Sequence, residues 1–306
     1  VSQAAAERGR AAAVPPEVLR QVRRIELRTR GLVNSRFTGE YHSVFKGMGM
    51  EFAEVREYQP GDEVRTIDWN VSARMRRLFV KRFVEERELT VLLIVDSSGS
   101  SRGGAGAQDK QGMAAELAAV LALTATRNND RVGLLIHSDR VEHVVPPKKG
   151  RRHALRLVRD VLASRAQARG TDLAAACDYA ARLLPHRSIV FVVSDFVAPP
   201  YEPALTRLAR RHDVVAVVLD DPAERELPNV GVARLVDTES GALAEVDTGD
   251  PAVRARYASL LRAEREARQS TLRRLAVDEV LVPLELGYVD AMMRFFRTRE
   301  TRARRR

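Results

Sequence analysis

The chain has 306 residues, 45% of them hydrophobic and 30% charged, with 51 lysines and arginines against 41 aspartates and glutamates, a formal net charge of +10. That is chain enough for one large domain or two ordinary ones that fold without staples, and no apolar run approaches the roughly 20 residues needed to span a bilayer. The single cysteine, Cys177, excludes an intrachain disulfide, and its Ala-rich surroundings read as those of a buried, inert thiol in a reducing cytoplasm.

The positive charge is almost wholly arginine, since the lysines are only Lys46, Lys81, Lys110, Lys148 and Lys149. A basic surface suits acidic partners in general, whether nucleic acid, anionic lipid or an acidic protein face. At the start of the chain, Glu7, Arg8 and Arg10 interrupt an alanine-rich stretch before any secretory apolar segment forms. A first helix is predicted from Pro15 to about Arg30, with its prolines at the start and Val18, Leu19, Val22, Ile25 and Leu27 as its apolar stripe. Residues 1–36 therefore read as an N-terminal helix and linker.

Residues 37–88 change to short extended pieces and turn signals, the clearest being Gln59-Pro60-Gly61-Asp62, and read as a small β-rich unit. From Thr90 onward, apolar strands alternate with helical stretches, the pattern of a doubly wound, mostly parallel α/β sheet. The strands fall at Val91–Val95, Val132–Ile136, Ile189–Val193, Val214–Leu219 and Val280–Leu284, with an antiparallel edge strand at Val141–Val145. Helices are predicted near Gln111–Arg127, His153–Ala163, Leu173–Leu184 and Pro203–Arg211, and a helical insertion near 250–275 starts at Asp250-Pro251. This larger domain spans 89–297. Tyr288–Phe296 is helical in pattern, and 298–306 reads as a basic tail that frays.

The first core strand ends in Asp96-Ser97-Ser98-Gly99-Ser100, which places one carboxylate and two hydroxyls at the carboxyl edge of the sheet, where open α/β sheets bind ligands. Gly170-Thr171-Asp172 before a helix and Ser194-Asp195 after a strand supply oxygens to the same rim. Singly, such residues are ordinary caps and turns. Together, Asp96, Ser98, Ser100, Thr171 and Asp195 resemble the metal-ion-dependent adhesion site of von Willebrand factor A domains. The resemblance implies a divalent cation, Mg²⁺ first and Mn²⁺ or Ca²⁺ as alternatives. Ser98 and Ser100 would bind it directly, Thr171 directly or through water, and Asp96 and Asp195 mainly through bound waters.

Three rival readings start from the same residues. Gly99-Ser100-Ser101-Arg102-Gly103 matches the G-x-S-x-G of hydrolase elbows, with Asp195 and His212 as conceivable triad partners. The strand stops at Asp96, however, the loop continues through Gly103–Gly106, and His212 precedes a strand, at the wrong edge. A nucleotide site fails because no G-x-x-x-x-G-K-[ST] exists. Nucleic-acid binding by the arginine-rich region from Arg254 onward is the remaining alternative, with an aromatic content of only 5% offering few stacking platforms.

Upstream, Gly47-Met48-Gly49-Met50-Glu51-Phe52, Arg56-Glu57-Tyr58-Gln59-Pro60-Gly61-Asp62, Arg65-Thr66-Ile67-Asp68-Trp69 and Ser72-Ala73-Arg74 resemble the signature of the bacterial family catalogued as domain of unknown function fifty-eight. The resemblance continues through Phe83-Val84-Glu85-Glu86 into the metal motif. It implies a von Willebrand factor A-like domain and association with MoxR-type AAA+ ATPases, in chaperone-like assembly or activation of other proteins rather than in catalysis. Arg56, Glu57, Asp62, Arg65, Asp68 and Arg74 suit either a partner site or, the reading favoured, ion pairs tying the β-rich unit to the main domain, and Trp69 is expected as a packing anchor rather than a ligand platform.

Overall fold

The structure is a computed structural model and describes residues 15–33, 37–45, 50–85, 88–102, 109–164, 170–198, 200–237 and 241–304. Gly47, Met48, Gly49 and Glu86 of the signature, and the loop glycines Gly103, Gly104 and Gly106, lie outside these residues.

Two helices open the chain, α1 (Pro16–Leu32) and α2 (Thr38–Phe45). They are followed by β1 (Met50–Glu57), α3 (Trp69–Met75) and β2 (Phe79–Glu85), with β1 and β2 paired as an antiparallel hairpin. Then come β3 (Thr90–Asp96), α4 (Lys110–Arg127), β4 (Arg131–His137), β5 (Val141–Lys148), α5 (Arg151–Ala163), α6 (Leu173–Leu183), β6 (Ile189–Ser194), α7 (Glu202–Arg211) and β7 (Asp213–Asp220). A second hairpin, β8 (Val232–Val236) and β9 (Leu243–Asp247), precedes the long α8 (Pro251–Arg274), the last strand β10 (Asp278–Pro283) and α9 (Val289–Arg304).

Six strands form the main sheet in the order β10-β7-β6-β3-β4-β5, parallel except for β5 at one edge. The strands are continuous apolar runs because both faces are covered. Val91, Leu93 and Val95 of β3 join a core with residues of α2, α4, α5 and α9, while Leu92 and Ile94 of the same strand join a second core with α6 and α7. One residue of register thus decides which layer a side chain enters. This is the doubly wound α/β fold expected, and the strand and helix placements fall within a few residues of those read from periodicity.

Several expectations change. Residues 37–45 are helical, and Phe37, Tyr41 and Phe45 are buried in the core with Phe191 and Phe296, so this segment belongs to the main body rather than to a β-rich unit. Turn and polar residues among them (Thr38, Gly39, Glu40) masked a one-sided apolar set. The basic tail does not begin at 298: α9 continues to Arg304, and Arg299, pairing with Asp213 and Asp278, is drawn onto the sheet edge. The β8–β9 hairpin was not foreseen. Its Gly241 at φ 74 supplies the left-handed turn residue that a tight reversal favours, and this was its one sequence signal.

Within the signature region the ion pairs among described side chains stay local. Arg56 donates to both oxygens of Asp62 at 2.8 and 2.6 Å, Arg77 reaches Glu57 at 3.2 Å, and Lys81 approaches Asp68 at 3.4 Å. Asp68 also caps α3 by accepting from the backbone N–H groups of Asn70 and Val71. These contacts hold the hairpin and α3 to each other, not to the main sheet, because their partners are close in sequence and a short hairpin has no core of its own to order it. Trp69 is 65% exposed, so it is not the packing anchor that its size suggested.

Candidate metal centre

Winding reverses between β3 and β6. From β3 the chain leaves through α4 into the first core layer, and from β6 it leaves through α7 into the second. In a doubly wound sheet, such neighbouring strands with diverging exits leave a crevice at their carboxyl ends. Asp96 closes β3 on one side of that crevice, and Asp195 follows β6 on the other.

The two sides are joined by a side chain. Ser194 donates its hydroxyl to Asp96 Oδ2 at 2.8 Å and accepts the N–H of Phe196 at 3.0 Å. The second Asp96 oxygen, Oδ1, accepts the N–H of Ser98 at 2.9 Å. Both oxygens of a buried carboxylate are therefore fixed in direction, each keeping lone-pair capacity for a further donor. Phe196 adopts φ 61, a conformation that bulky residues seldom take, and it turns the chain sharply just beyond Asp195. Its ring packs edge-on against Tyr201 at 5.7 Å, which holds the turn.

Ser98 and Ser100 bring their hydroxyl oxygens to 3.0 Å from each other, the first fully buried and the second half-buried. Adjacent ligands in a Mg²⁺ octahedron, with bonds of about 2.1 Å, stand about 3.0 Å apart. The pair fits two neighbouring positions on such an ion, and shares a hydrogen bond at the same distance without one. Thr171 is buried at the start of the segment leading into α6. That segment is tied to the rim because Asp172 donates its N–H to the Ser138 carbonyl at 2.7 Å, just past the β4 residue that pairs with Asp96. Asp172 itself caps α6 through Ala175 at 2.8 Å. The five candidate residues thus stand along one carboxyl rim, with Asp96, Ser98 and Ser100 linked by the bonds above, Asp195 following Ser194 in the chain, and Thr171 placed by the backbone bond of its neighbour Asp172.

No group of three or more His, Cys, Asp or Glu side chains among the described residues forms a metal-ligating cluster. A cation here would be held by hydroxyls and water over fixed carboxylates. Such a donor set suits a hard ion that dehydrates reluctantly, and it leaves most of the ion's charge uncancelled.

Sequence reasoning missed Lys110. Its ammonium, 1% exposed, donates to Asp195 Oδ2 at 2.9 Å and to both oxygens of Glu224 at 2.7 and 2.9 Å. Burial alone would lower its pKa, but Asp195 and Glu224 outweigh burial and hold it above the ordinary lysine value. Glu224 shifts upward through burial, an effect that Lys110 opposes. The remaining bond of Asp195 is Oδ1 accepting from Val197 N–H at 3.1 Å. A lysine at the first turn of a helix in an arginine-dominated chain was the available clue, since one compact ammonium with three donors can serve two carboxylates at once. Beside this cluster a cavity of about 530 Å³ opens between the β6–α7 turn and α8, lined by Asp195, Phe196, Val197, Glu224, Leu261 and Arg262 among others.

The rival readings lose support from the same geometry. His212 lies at the amino end of β7, the opposite edge from Asp195, and burial followed by Arg211 and Arg187 lowers its pKa to about 4. Of the arginines proposed for nucleic acid, Arg265 pairs with Asp220, Arg268 with Glu279, and Arg302 with Asp278. Each of these three is engaged by a carboxylate of the same chain.

Residues 54–267 match the model of the family described as "Protein of unknown function DUF58". An uncharacterized protein of Mycobacterium tuberculosis is 32% identical over 288 residues, covering 93% of this chain and 90% of the relative, and an uncharacterized protein of Mycobacterium bovis matches equally. The uncharacterized protein YeaD of Bacillus subtilis is 42% identical over 48 residues, 16% of this chain and 12% of that protein. Among solved structures, the conserved hypothetical protein BatB of Bacteroides thetaiotaomicron aligns with TM-score 0.49 and 16% identity, over 70% of this chain and 99% of that one. A von Willebrand factor type A protein of Catenulispora acidiphila aligns with TM-score 0.32 and 13% identity, over 44% of this chain and 33% of that one.

Proposed function

This chain belongs to the DUF58 family, and from its doubly wound α/β fold and the geometry of its carboxyl rim we propose that it is a non-enzymatic, von Willebrand factor A-like interaction module that grips a carboxylate of a partner protein through a divalent cation. Mg²⁺ is the ion proposed, with Mn²⁺ and Ca²⁺ as substitutes, and Asp96, Ser98, Ser100, Thr171 and Asp195 as the residues that hold it. The partner proposed, on the family resemblance, is a MoxR-type AAA+ ATPase or that ATPase's client, met in the cytoplasm during assembly or activation of the client. No described helix is long and apolar enough to cross a membrane.

The observation that carries the reading is the Ser98–Ser100 hydroxyl pair, 3.0 Å apart beside an Asp96 whose two oxygens are fixed from both strands. When bound, the cation supplies an open coordination position for one carboxylate. The chain's own residues do the rest. Neutral hydroxyls hold the ion without cancelling its charge, Asp96 and Asp195 orient its waters, and the Phe196 turn fixes the far wall.

The test is capture of a purified MoxR-type AAA+ ATPase from the same organism, with Mg²⁺ and with a chelator, by wild type and by Ser98→Ala with Asp195→Ala. Recovery should require Mg²⁺ and both residues. Recovery indifferent to chelation and to the substitutions would overturn the docking mechanism, and absence of binding at all with Mg²⁺ present would remove the ATPase as partner.

A further inference from the structure

We infer that Lys110 is a tethered internal cation that sets how the metal centre divides its affinity between the metal ion and the partner's carboxylate, with Glu224 as the counterweight. The inference rests on the cation reading above. Asp195 faces the crevice with one oxygen on Val197 N–H and the other on the Lys110 ammonium, which in turn is shared with Glu224. The ammonium is buried beside a carboxylate proposed to orient the waters of a divalent ion, so its field reaches that ion with little screening.

The charge count fixes the direction. Asp96 and Asp195 carry two negative charges, Glu224 adds a third on the outer side, and Lys110 returns one positive charge. Removing the ammonium makes this set one unit more negative, so a divalent ion should bind more tightly and be left less able to attract a partner's carboxylate, and removing the Glu224 charge should do the reverse. Glu224 stands on the outer side, 48% exposed, and takes up part of the Lys110 charge. Its backbone carbonyl also accepts from the Tyr257 hydroxyl of α8 at 3.0 Å, so the helix beside the cavity is joined to the same cluster.

Two substitutions should therefore move cation affinity in opposite directions. Lys110→Met keeps the length of the side chain and removes its charge, whereas Glu224→Gln keeps the shape and releases Lys110 to act on Asp195 alone. Titration of Mn²⁺ into the full chain, read by electron paramagnetic resonance of the free ion, should give tighter binding for Lys110→Met by about tenfold and weaker binding for Glu224→Gln by a few-fold. Acetate added to the Mn²⁺-loaded proteins, read by loss of bound-water relaxation, should bind more weakly to Lys110→Met than to wild type and more strongly to Glu224→Gln. A merely structural role for Lys110 would weaken cation and acetate binding together.

Wild type that binds no Mn²⁺ would overturn the cation reading and this inference with it. Wild type that binds Mn²⁺, with Lys110→Met binding it no more tightly, would overturn the inference alone. If Lys110→Met fails to fold, Glu224→Gln decides: unchanged or tighter Mn²⁺ binding would overturn it.

Discussion

The hydroxyl of Ser194 donates to Asp96 Oδ2 at 2.8 Å, joining the carboxyl ends of β3 and β6, the two strands from which the chain leaves toward opposite faces of the sheet. A short parallel pair gains a side-chain brace at the point where its main-chain ladder ends. The same hydroxyl accepts from Phe196, so the brace also holds the left-handed turn beyond Asp195. Ser194→Ala leaves Asp96 one donor short in a buried setting. It should cost about 1–2 kcal/mol in urea denaturation and weaken Mn²⁺ binding several-fold. Unchanged Mn²⁺ affinity in a destabilised variant would show that the brace serves the fold alone.

Asp130 sits at the far end of the sheet, where its carboxylate accepts from Leu89 N–H at 2.9 Å and from the Tyr41 hydroxyl at 3.0 Å. Burial raises its pKa from 3.8 to about 6, against the lowering effect of those two donors. The native state therefore binds this proton more tightly than the unfolded chain does. Stability from this group is present in full below about pH 4 and is lost as pH rises through about 6. Asp130→Asn should remove that dependence, so the difference between wild-type and variant unfolding free energies should change by on the order of 3 kcal/mol across this window. Parallel urea profiles from pH 4 to 7 would contradict it.

The main sheet could be read in the chain because its strands are continuous apolar runs rich in β-branched residues, as a doubly covered sheet buries, and the five rim residues follow once strand ends are placed. Two kinds of information were absent. Lys110 and Asp195 are 85 positions apart, and nothing local to either predicts their bond. Trp69 and Phe45 look equally suited to a core, yet one is exposed and the other buried, because the partners that decide this come from α9 and β6. Ion pairs of the signature region were expected to span two units, and those described, Arg56–Asp62, Arg77–Glu57 and Lys81–Asp68, join residues within the hairpin region. Charge spacing gives the capacity to pair and not the partner.

Cys177 lies on the inner face of α6 among the residues of the second core. Burial, with a smaller push from Asp178, raises its thiol to about 12, and Arg207 offsets this only in part. A thiol so placed has almost no thiolate at neutral pH and no path for a reagent. The folded protein should leave a disulfide reagent unconsumed at pH 8 over an hour, while the urea-unfolded chain should consume one equivalent within minutes. Rapid reaction of the folded protein would mean that α6 opens readily from the sheet.

Phe296 of α9 meets three rings of one segment far from it in sequence, residues 37–45. Its ring meets Phe37 at 5.9 Å, Phe45 at 6.3 Å and Tyr41 at 6.4 Å, all edge-on, and it is fully buried. Edge-to-face contacts add to the area term that burial of a phenylalanine already contributes. Phe296→Ala should therefore lower unfolding stability by about 3–5 kcal/mol, with Phe45→Ala in the same range. Trp69→Ala is the control, because a larger ring is removed from a site where most of it faces water. That change should stay within about 0.5 kcal/mol of wild type. The comparison also tests where the main domain begins. If residues 37–45 were a separate unit, Phe45→Ala would produce a second, earlier unfolding transition and leave the main one in place. Packing against Phe191 of β6 and Phe296 of α9 instead predicts one cooperative transition, shifted as a whole, in both far- and near-ultraviolet circular dichroism.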